Sequence, residues 1–130
     1  MRTYLLLTLI VVGALACKKT EPVRPGLFGK WEIHRRYGSL LGFDSTYTAG
    51  NGTIYQFNSD STYKYYIKYK LASTGTFHVR PLNAPGINLS LKLYFDNDTY
   101  GELFSYSGTT MTIGTAAGDG IASDYIKVGN

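Results

Sequence analysis

Residues 63–71 read YKYYIKYKL, and their side chains alternate along the chain. Tyr63, Tyr65, Ile67, Tyr69 and Leu71 would face one way, while three lysines and one tyrosine would face the other. Alternation with a period of two is typical of a β-strand that has one buried and one solvated face. We therefore predict a strand here, with its aromatic face turned toward the interior of the protein.

The same alternation recurs on both sides of this segment, and turn residues separate the repeats. Directly after it, a short turn at 72–74 should lead into a further strand. Seven segments besides 63–71 are predicted as strands: 30–37, 53–58, 75–79, 87–95, 100–106, 111–113 and 121–128.

The connections between these strands are short, apart from one longer loop at 38–50. None has the length of a crossover helix, so consecutive strands should be antiparallel neighbours. Eight such strands in chain order can close on themselves and remove both sheet edges. The predicted fold is therefore all-β, an eight-stranded antiparallel up-and-down β-barrel, and a β-sandwich is the alternative.

The start of the chain has the pattern of an export signal. A positive start at Arg2 precedes an uncharged apolar run, which is short beside the roughly 20 residues that span a bilayer. The stretch Ala14-Leu15-Ala16-Cys17 resembles the lipobox of bacterial lipoproteins, in which the signal is cut before a cysteine that carries the lipid. Residues 1–16 are interpreted as a lipoprotein signal peptide, and Cys17 as the lipid attachment site.

Residues 17–26 follow as a polar, proline-containing tether, and residues 27–130 form the predicted barrel domain. Two or more acyl chains, palmitate among them, would hold the protein on a membrane essentially permanently. No acidic run follows Cys17. In bacteria whose lipoproteins have these features, such runs direct export to the cell surface. We therefore expect a bacterial envelope protein, anchored in the outer membrane and facing the periplasm.

Composition excludes some classes of function. The net charge of the whole chain is +4, and loss of Arg2 with the signal would leave about +3, spread along the sequence, so we expect no nucleic-acid partner. Cys17 is the only cysteine, so no disulfide can form within the chain. The core must therefore be held together by packing alone.

Several short motifs in this order resemble those of small lipocalin-like lipoproteins of Bacteroidetes. Gly29-Lys30-Trp31 matches the Gly-x-Trp signature of lipocalins. The segments YQFNSDSTYKYY (55–66), STGTFHV (73–79) and YIKV (125–128) follow at similar spacing. The resemblance implies a barrel closed at its base by Trp31, with Lys127 as the basic residue stacked on that ring. It also suggests an interior that holds a small molecule, although the resemblance predicts the fold more strongly than it predicts a ligand, since fold alone does not fix function.

No pattern of catalytic residues occurs in the sequence. His34 and His78 both fall on polar faces, and a zinc site would need both together with a carboxylate such as Glu32 or Asp124. Hydrolase, metalloprotease and phosphate-loop motifs are missing. We predict neither enzymatic activity nor a bound metal or cofactor.

Two functions fit these features. The first is a monomeric binding module that holds a small apolar or amphipathic molecule inside the barrel. The second is a structural or interaction protein with a packed barrel, which would bind another envelope protein or a glycan through its outer surface or the 38–50 loop. The predicted barrel lining, which is the candidate ligand-binding set, consists of Trp31, Tyr37, Tyr55, Tyr63, Tyr65, Tyr69, Phe77, Leu91, Phe104, Tyr106 and Met111.

Overall fold

The computed structural model describes residues 26–39, 42–82 and 90–130. These ranges contain nine β-strands and no helix. The strands are β1 (Gly29–Gly38), β2 (Phe43–Thr46), β3 (Ile54–Phe57), β4 (Thr62–Ile67), β5 (Lys70–Leu82), β6 (Ser90–Phe95), β7 (Glu102–Ser107), β8 (Thr110–Gly114) and β9 (Ile121–Gly129). The predicted signal peptide, Cys17, most of the predicted tether and residues 87–89 of a predicted strand lie outside the described residues, so these predictions remain untested.

The sheet closes into a barrel, as predicted. Strands β3 to β9 pair antiparallel with their neighbours in chain order, and β1 joins both β3 and β9. Closure is extensive, because β1 pairs with β9 from Lys30, opposite Gly129, to Gly38, opposite Ile121. The eight-stranded antiparallel barrel is thereby confirmed, and the strands do not separate into a sandwich.

Strand β2 is an addition within the predicted 38–50 loop. The first half of β1 pairs with β3, from Gly29 to Glu32, and the second half pairs with β2, from Arg35 to Gly38. Because β1 is longer than β3, its second half would otherwise leave a row of backbone groups unpaired at an edge. Strand β2 supplies their hydrogen-bond partners.

The hairpin between β4 and β5 differs from the sequence prediction. The turn lies at Lys68 and Tyr69, which have φ values of 49° and 64°, and 72–74 belongs to β5. Two consecutive positive φ angles are those of a type I′ hairpin turn. Tyr69 and Leu71 are consequently 64% and 56% exposed and do not continue the inward face of Tyr63 and Tyr65.

One hydrophobic core occupies the half of the barrel around Trp31, which we call the base; the opposite end is called the mouth. Trp31 is completely buried, and its indole Nε1 donates a 2.7 Å hydrogen bond to the Leu27 carbonyl. Aromatic and aliphatic side chains from every barrel strand meet here. The buried members are Trp31, Ile33, Phe57, Tyr63, Phe77, Leu93, Phe104, Met111 and Tyr125.

Candidate functional site

A cavity of about 690 Å³ lies at the mouth. Small-molecule sites in proteins are typically concave and roughly 300–1,000 Å³ in volume, with apolar walls and a few polar groups. The cavity combines inward-facing strand residues with residues of the loops that follow β6 and β8. Its lining is Ile33, Arg36, Tyr55, Tyr65, Phe95, Asp98, Glu102, Ile113, Gly114, Asp119, Gly120, Ile121, Ser123 and Tyr125.

Strand register explains which side chains reach the cavity. Residues directly opposite each other in an antiparallel pair project to the same face of the sheet. Tyr55 is paired with Tyr65, and Ile113 with Ser123. Glu102 is paired with the fully buried Leu93, so Glu102 also lies on the inner face, one step nearer the mouth. The cavity wall is therefore the continuation of the core's own inward face.

A β-bulge places Arg36 on this inner face. The pairing of β1 with β9 shifts between Ile33 and Arg35, so that Arg36 lies opposite Ser123. An extra residue in one strand reverses the direction of the side chains that follow it. Alternation from Ile33 would have placed Arg35 inward, whereas the bulge places Arg36 there.

Arg35 is bound on the outer face instead. Its Nε and Nη2 donate hydrogen bonds of 2.9 and 2.7 Å to the two carboxylate oxygens of Asp44, on β2. Its guanidinium also lies 4.5 Å from the centroid of the Tyr37 ring. Tyr37 therefore contacts Arg35 outside the barrel and does not border the cavity.

Tyr55 is the centre of the aromatic wall. Its ring stacks on Tyr65 at a centroid distance of 4.4 Å and on Phe95 at 5.4 Å. The ring of Tyr125 meets it edge-on at 5.6 Å. Each such pair is worth about 0.5–1.5 kcal/mol beyond its area burial, so the wall is held in place before any ligand arrives.

The phenols of this wall stay protonated at neutral pH. Burial raises the pKa of Tyr55 and of Tyr125 well above the ordinary tyrosine value, and it also raises the pKa of Tyr65. Arg36 opposes the rise in the pKa of Tyr65 and Tyr125, while Glu102 adds to the rise for Tyr55. The hydroxyls are therefore neutral groups able both to donate and to accept hydrogen bonds.

Four charged side chains border the cavity: Arg36, Asp98, Glu102 and Asp119. The carboxylate of Asp98 accepts hydrogen bonds of 3.0 and 3.2 Å from the backbone N–H groups of Tyr100 and Gly101, so it belongs to the β6–β7 turn. Arg36 and Glu102 have no hydrogen-bond or ion-pair partner within the part of the chain that the structure describes. Both remain available to a bound molecule.

The structure divides the predicted lining into three groups. Tyr55 and Tyr65 border the cavity. Leu91 packs against the core, and the others near the barrel axis are core members: Trp31, Tyr63, Phe77, Phe104 and Met111. Three tyrosines lie elsewhere: Tyr37 contacts Arg35 outside the barrel, Tyr69 donates a 2.7 Å hydrogen bond to the Gly50 carbonyl, and Tyr106 is 41% exposed.

Sequence reasoning missed most of the polar residues of the cavity. Glu102 and Tyr125 follow from plain alternation, since Glu102 shares its face with Phe104 and Tyr125 shares its face with Lys127. Arg36 carries no such signal, because the bulge that turns it inward cannot be read from residue types.

Three of the four residues considered for zinc have other contacts, and the fourth, His34, is exposed. His78 stacks on Tyr94 at 4.8 Å, Asp124 accepts a 2.7 Å hydrogen bond from Thr112, and Glu32 binds two backbone N–H groups. Within the described ranges, no three histidine, cysteine, aspartate or glutamate residues are grouped so as to hold a metal ion. The same ranges contain no helix with the length and hydropathy needed to cross a bilayer.

No family model matches this chain, and no curated protein or solved structure is significantly similar to it.

Proposed function

We propose that this chain is a lipid-anchored envelope protein whose barrel binds one small apolar or amphipathic molecule in the mouth cavity. The observation that supports the proposal is the division of the interior. Packed side chains fill the core around Trp31, whereas a cavity of about 690 Å³ lies at the mouth beside the rings of Tyr55 and Tyr65. A second, smaller cavity of about 410 Å³ lies at the base, next to Phe28. A purely structural barrel would be more stable with the space at the mouth filled, since unfilled volume lowers stability.

The chemistry of the wall indicates an amphipathic ligand. The rings of Tyr55, Tyr65 and Phe95 offer flat apolar surfaces. Neutral tyrosine hydroxyls and the charged side chains that border the cavity offer hydrogen bonds. A wholly apolar molecule would cover these polar groups without replacing their bonds to water, which costs free energy.

The position of the chain's entry into the barrel suits a tethered binding module. The Gly26 carbonyl lies at the base, where it accepts a 2.8 Å hydrogen bond from the Lys127 ammonium. A tether arriving from Cys17 would therefore join the end opposite the mouth. The opening would remain accessible from the periplasm while the lipid holds the monomer on the outer membrane.

Native mass spectrometry tests ligand binding. Residues 18–130, exported to the envelope of the native host and purified without detergent, should carry extra mass that disappears on unfolding. A bare mass, even after incubation with lipid extract from the host, would contradict the proposal. It would favour the packed-barrel alternative, in which the exposed Phe43 of the 38–50 loop contributes to a docking surface.

A pair of serine variants supplies the control. Ser123→Phe adds a ring on the inner face at the mouth, whereas Ser105→Phe adds the same ring on the exposed outer face of β7. The first should abolish the extra mass, and the second should retain it. Retention of the extra mass in both variants would place binding outside the cavity.

Metabolic labelling with a fatty acid tests the lipid anchor separately. Cys17→Ser removes the thiol that the thioether to the lipid requires, so the chain should lose its processed, lipid-modified form. Metabolic labelling with a fatty acid reports this directly. Equal labelling of the wild type and of Cys17→Ser would overturn the lipoprotein assignment without bearing on the cavity.

A further inference from the structure

Arg36 and Glu102 are opposite charges placed on the inner face of the same cavity. In the barrel order, β7 and β1 are separated by β8 and β9, so the two residues project from well-separated parts of the wall. Neither forms an ion pair with the other or with another described residue. Both side chains are exposed at the opening of the cavity, so each charge can meet a charged group of a bound molecule.

The surroundings of Arg36 are those of an anion site. Ser123 is its direct partner on β9, and the charge of Arg36 acts on both Tyr65 and Tyr125. A guanidinium with neighbouring hydroxyl donors is a common arrangement for binding a carboxylate. The carboxylate of Glu102 lies toward Tyr55 and the β6–β7 turn, where it can accept from a cationic group.

We propose that the mouth cavity selects a molecule with a flat apolar body that carries both an anionic and a cationic group. This inference rests on the proposed function and specifies its ligand class. The anionic group binds Arg36, the cationic group binds Glu102, and the body stacks on Tyr55 and Phe95.

A ligand with a single charge fits the cavity less well. A purely anionic molecule would satisfy Arg36 but would face the carboxylates of Asp98, Glu102 and Asp119. A purely cationic molecule would bind Glu102 but would approach the guanidinium of Arg36, which has no anionic partner among the described residues. A bound molecule would itself displace water from the cavity, and like charges repel more strongly where the effective dielectric constant is lower than in bulk water. A molecule that carries both an anionic and a cationic group avoids both of these repulsions.

Four probes with one aromatic body test this selection. Tryptophan carries both charges, N-acetyltryptophan only the negative one, tryptophanamide only the positive one, and N-acetyltryptophanamide neither. Equilibrium dialysis against the purified chain measures the four dissociation constants. We expect tryptophan to bind about tenfold more tightly than either singly charged probe, in line with the strength of charge-assisted hydrogen bonds.

Two charge-removing variants separate the roles. Arg36→Gln should bring tryptophan to the affinity of tryptophanamide, and Glu102→Gln should bring it to that of N-acetyltryptophan. Arg36→Lys, which keeps the charge, should recover part of the preference. Unfolding curves of the three variants show whether each remains folded.

The outcomes distinguish the inference from the function on which it rests. If the neutral probe binds as tightly as tryptophan, the charge selection is wrong while a binding cavity remains. If a singly charged probe binds most tightly, the inference is likewise overturned. If none of the four probes binds, and native mass spectrometry shows no carried molecule, both the inference and the proposed function are wrong.

Discussion

The Lys127 ammonium lies 5.5 Å from the centroid of the Trp31 ring, and it also donates a 2.8 Å hydrogen bond to the Gly26 carbonyl. Lys127 is only 5% exposed, and burial lowers the pKa of its amine. Gly29 lies against the same side chain, because a Cβ at this position would approach Lys127 Cε to 2.8 Å and the Gly129 carbonyl oxygen to 2.3 Å. The glycine two residues before Trp31 is thus required by close packing at the base.

Removal of this ammonium should destabilise the barrel. Lys127→Met keeps a long apolar side chain over Trp31 but leaves the Gly26 carbonyl without its donor. The loss of the hydrogen bond to Gly26 and of the cation–π contact with Trp31 should lower the free energy of unfolding by about 1–2 kcal/mol. Urea unfolding measures the change. Lys64→Met, on the exposed face of β4, is the matched control and should alter stability by less than about 0.5 kcal/mol.

The buried carboxylate of Glu32 should hold the segment that leads into β3. It accepts hydrogen bonds of 2.7 and 2.8 Å from the backbone N–H groups of Gly50 and Gly52. Glu32→Gln replaces one acceptor oxygen with an amide donor that faces a backbone N–H. We expect a loss of about 2 kcal/mol, with faster hydrogen exchange at Gly50 and Gly52.

Glu102→Gln makes the same chemical change at the mouth, where no hydrogen bond is lost, and it should leave both stability and exchange unchanged. Equal destabilisation by the two variants would show that Glu32 is not an anchor for the segment.

Alternation in the sequence was enough to predict the barrel. The inward positions of Tyr63, Tyr65 and Leu93 follow from a period of two, and closure follows from short antiparallel connections. Errors began where backbone geometry broke that period. The bulge in β1 exchanged the faces of Arg35 and Arg36, and a bulge between Tyr65 and Tyr66 ended the regular face of β4.

The hairpin turn and the cavity were beyond sequence reasoning for different reasons. Lys68 and Tyr69 are not residues that favour positive φ, so nothing in their type indicated a type I′ turn. Whether an eight-stranded barrel is filled depends on strand tilt, stagger and side-chain volume together. The large residues of the predicted lining fit a packed interior and an open interior equally well. In the structure most of them pack together in the core, and space remains at the mouth.

The strained turn offers a stabilising substitution. Lys68 has a φ of 49°, a region that is costly for residues with a Cβ but tolerated by asparagine. Lys68→Asn should therefore raise the melting temperature by roughly 2–4 °C, which corresponds to about 0.5 kcal/mol. Lys70→Asn introduces the same side chain at the start of β5, where asparagine is unfavourable, and should lower the melting temperature. An increase in both variants would mean that surface charge, and not the turn, sets the effect.

The buried tyrosines should make the barrel sensitive to alkali. Burial raises the pKa of Tyr125, which is 6% exposed, above its ordinary value of 10.0. A group whose pKa is raised on folding stabilises the native state below its unfolded pKa, and this stability is lost as pH rises toward the folded pKa. Wild-type stability should therefore fall steadily above pH 10, as tyrosines ionise in the unfolded chain. Tyr125→Phe has no proton to lose at this position, so urea unfolding between pH 9 and 11 should show a shallower decline in its stability.

The stability of Tyr100→Phe, at a position that is 82% exposed, should decline as that of the wild type does. Identical slopes for Tyr125→Phe and the wild type would show that the Tyr125 phenol is not held neutral by burial.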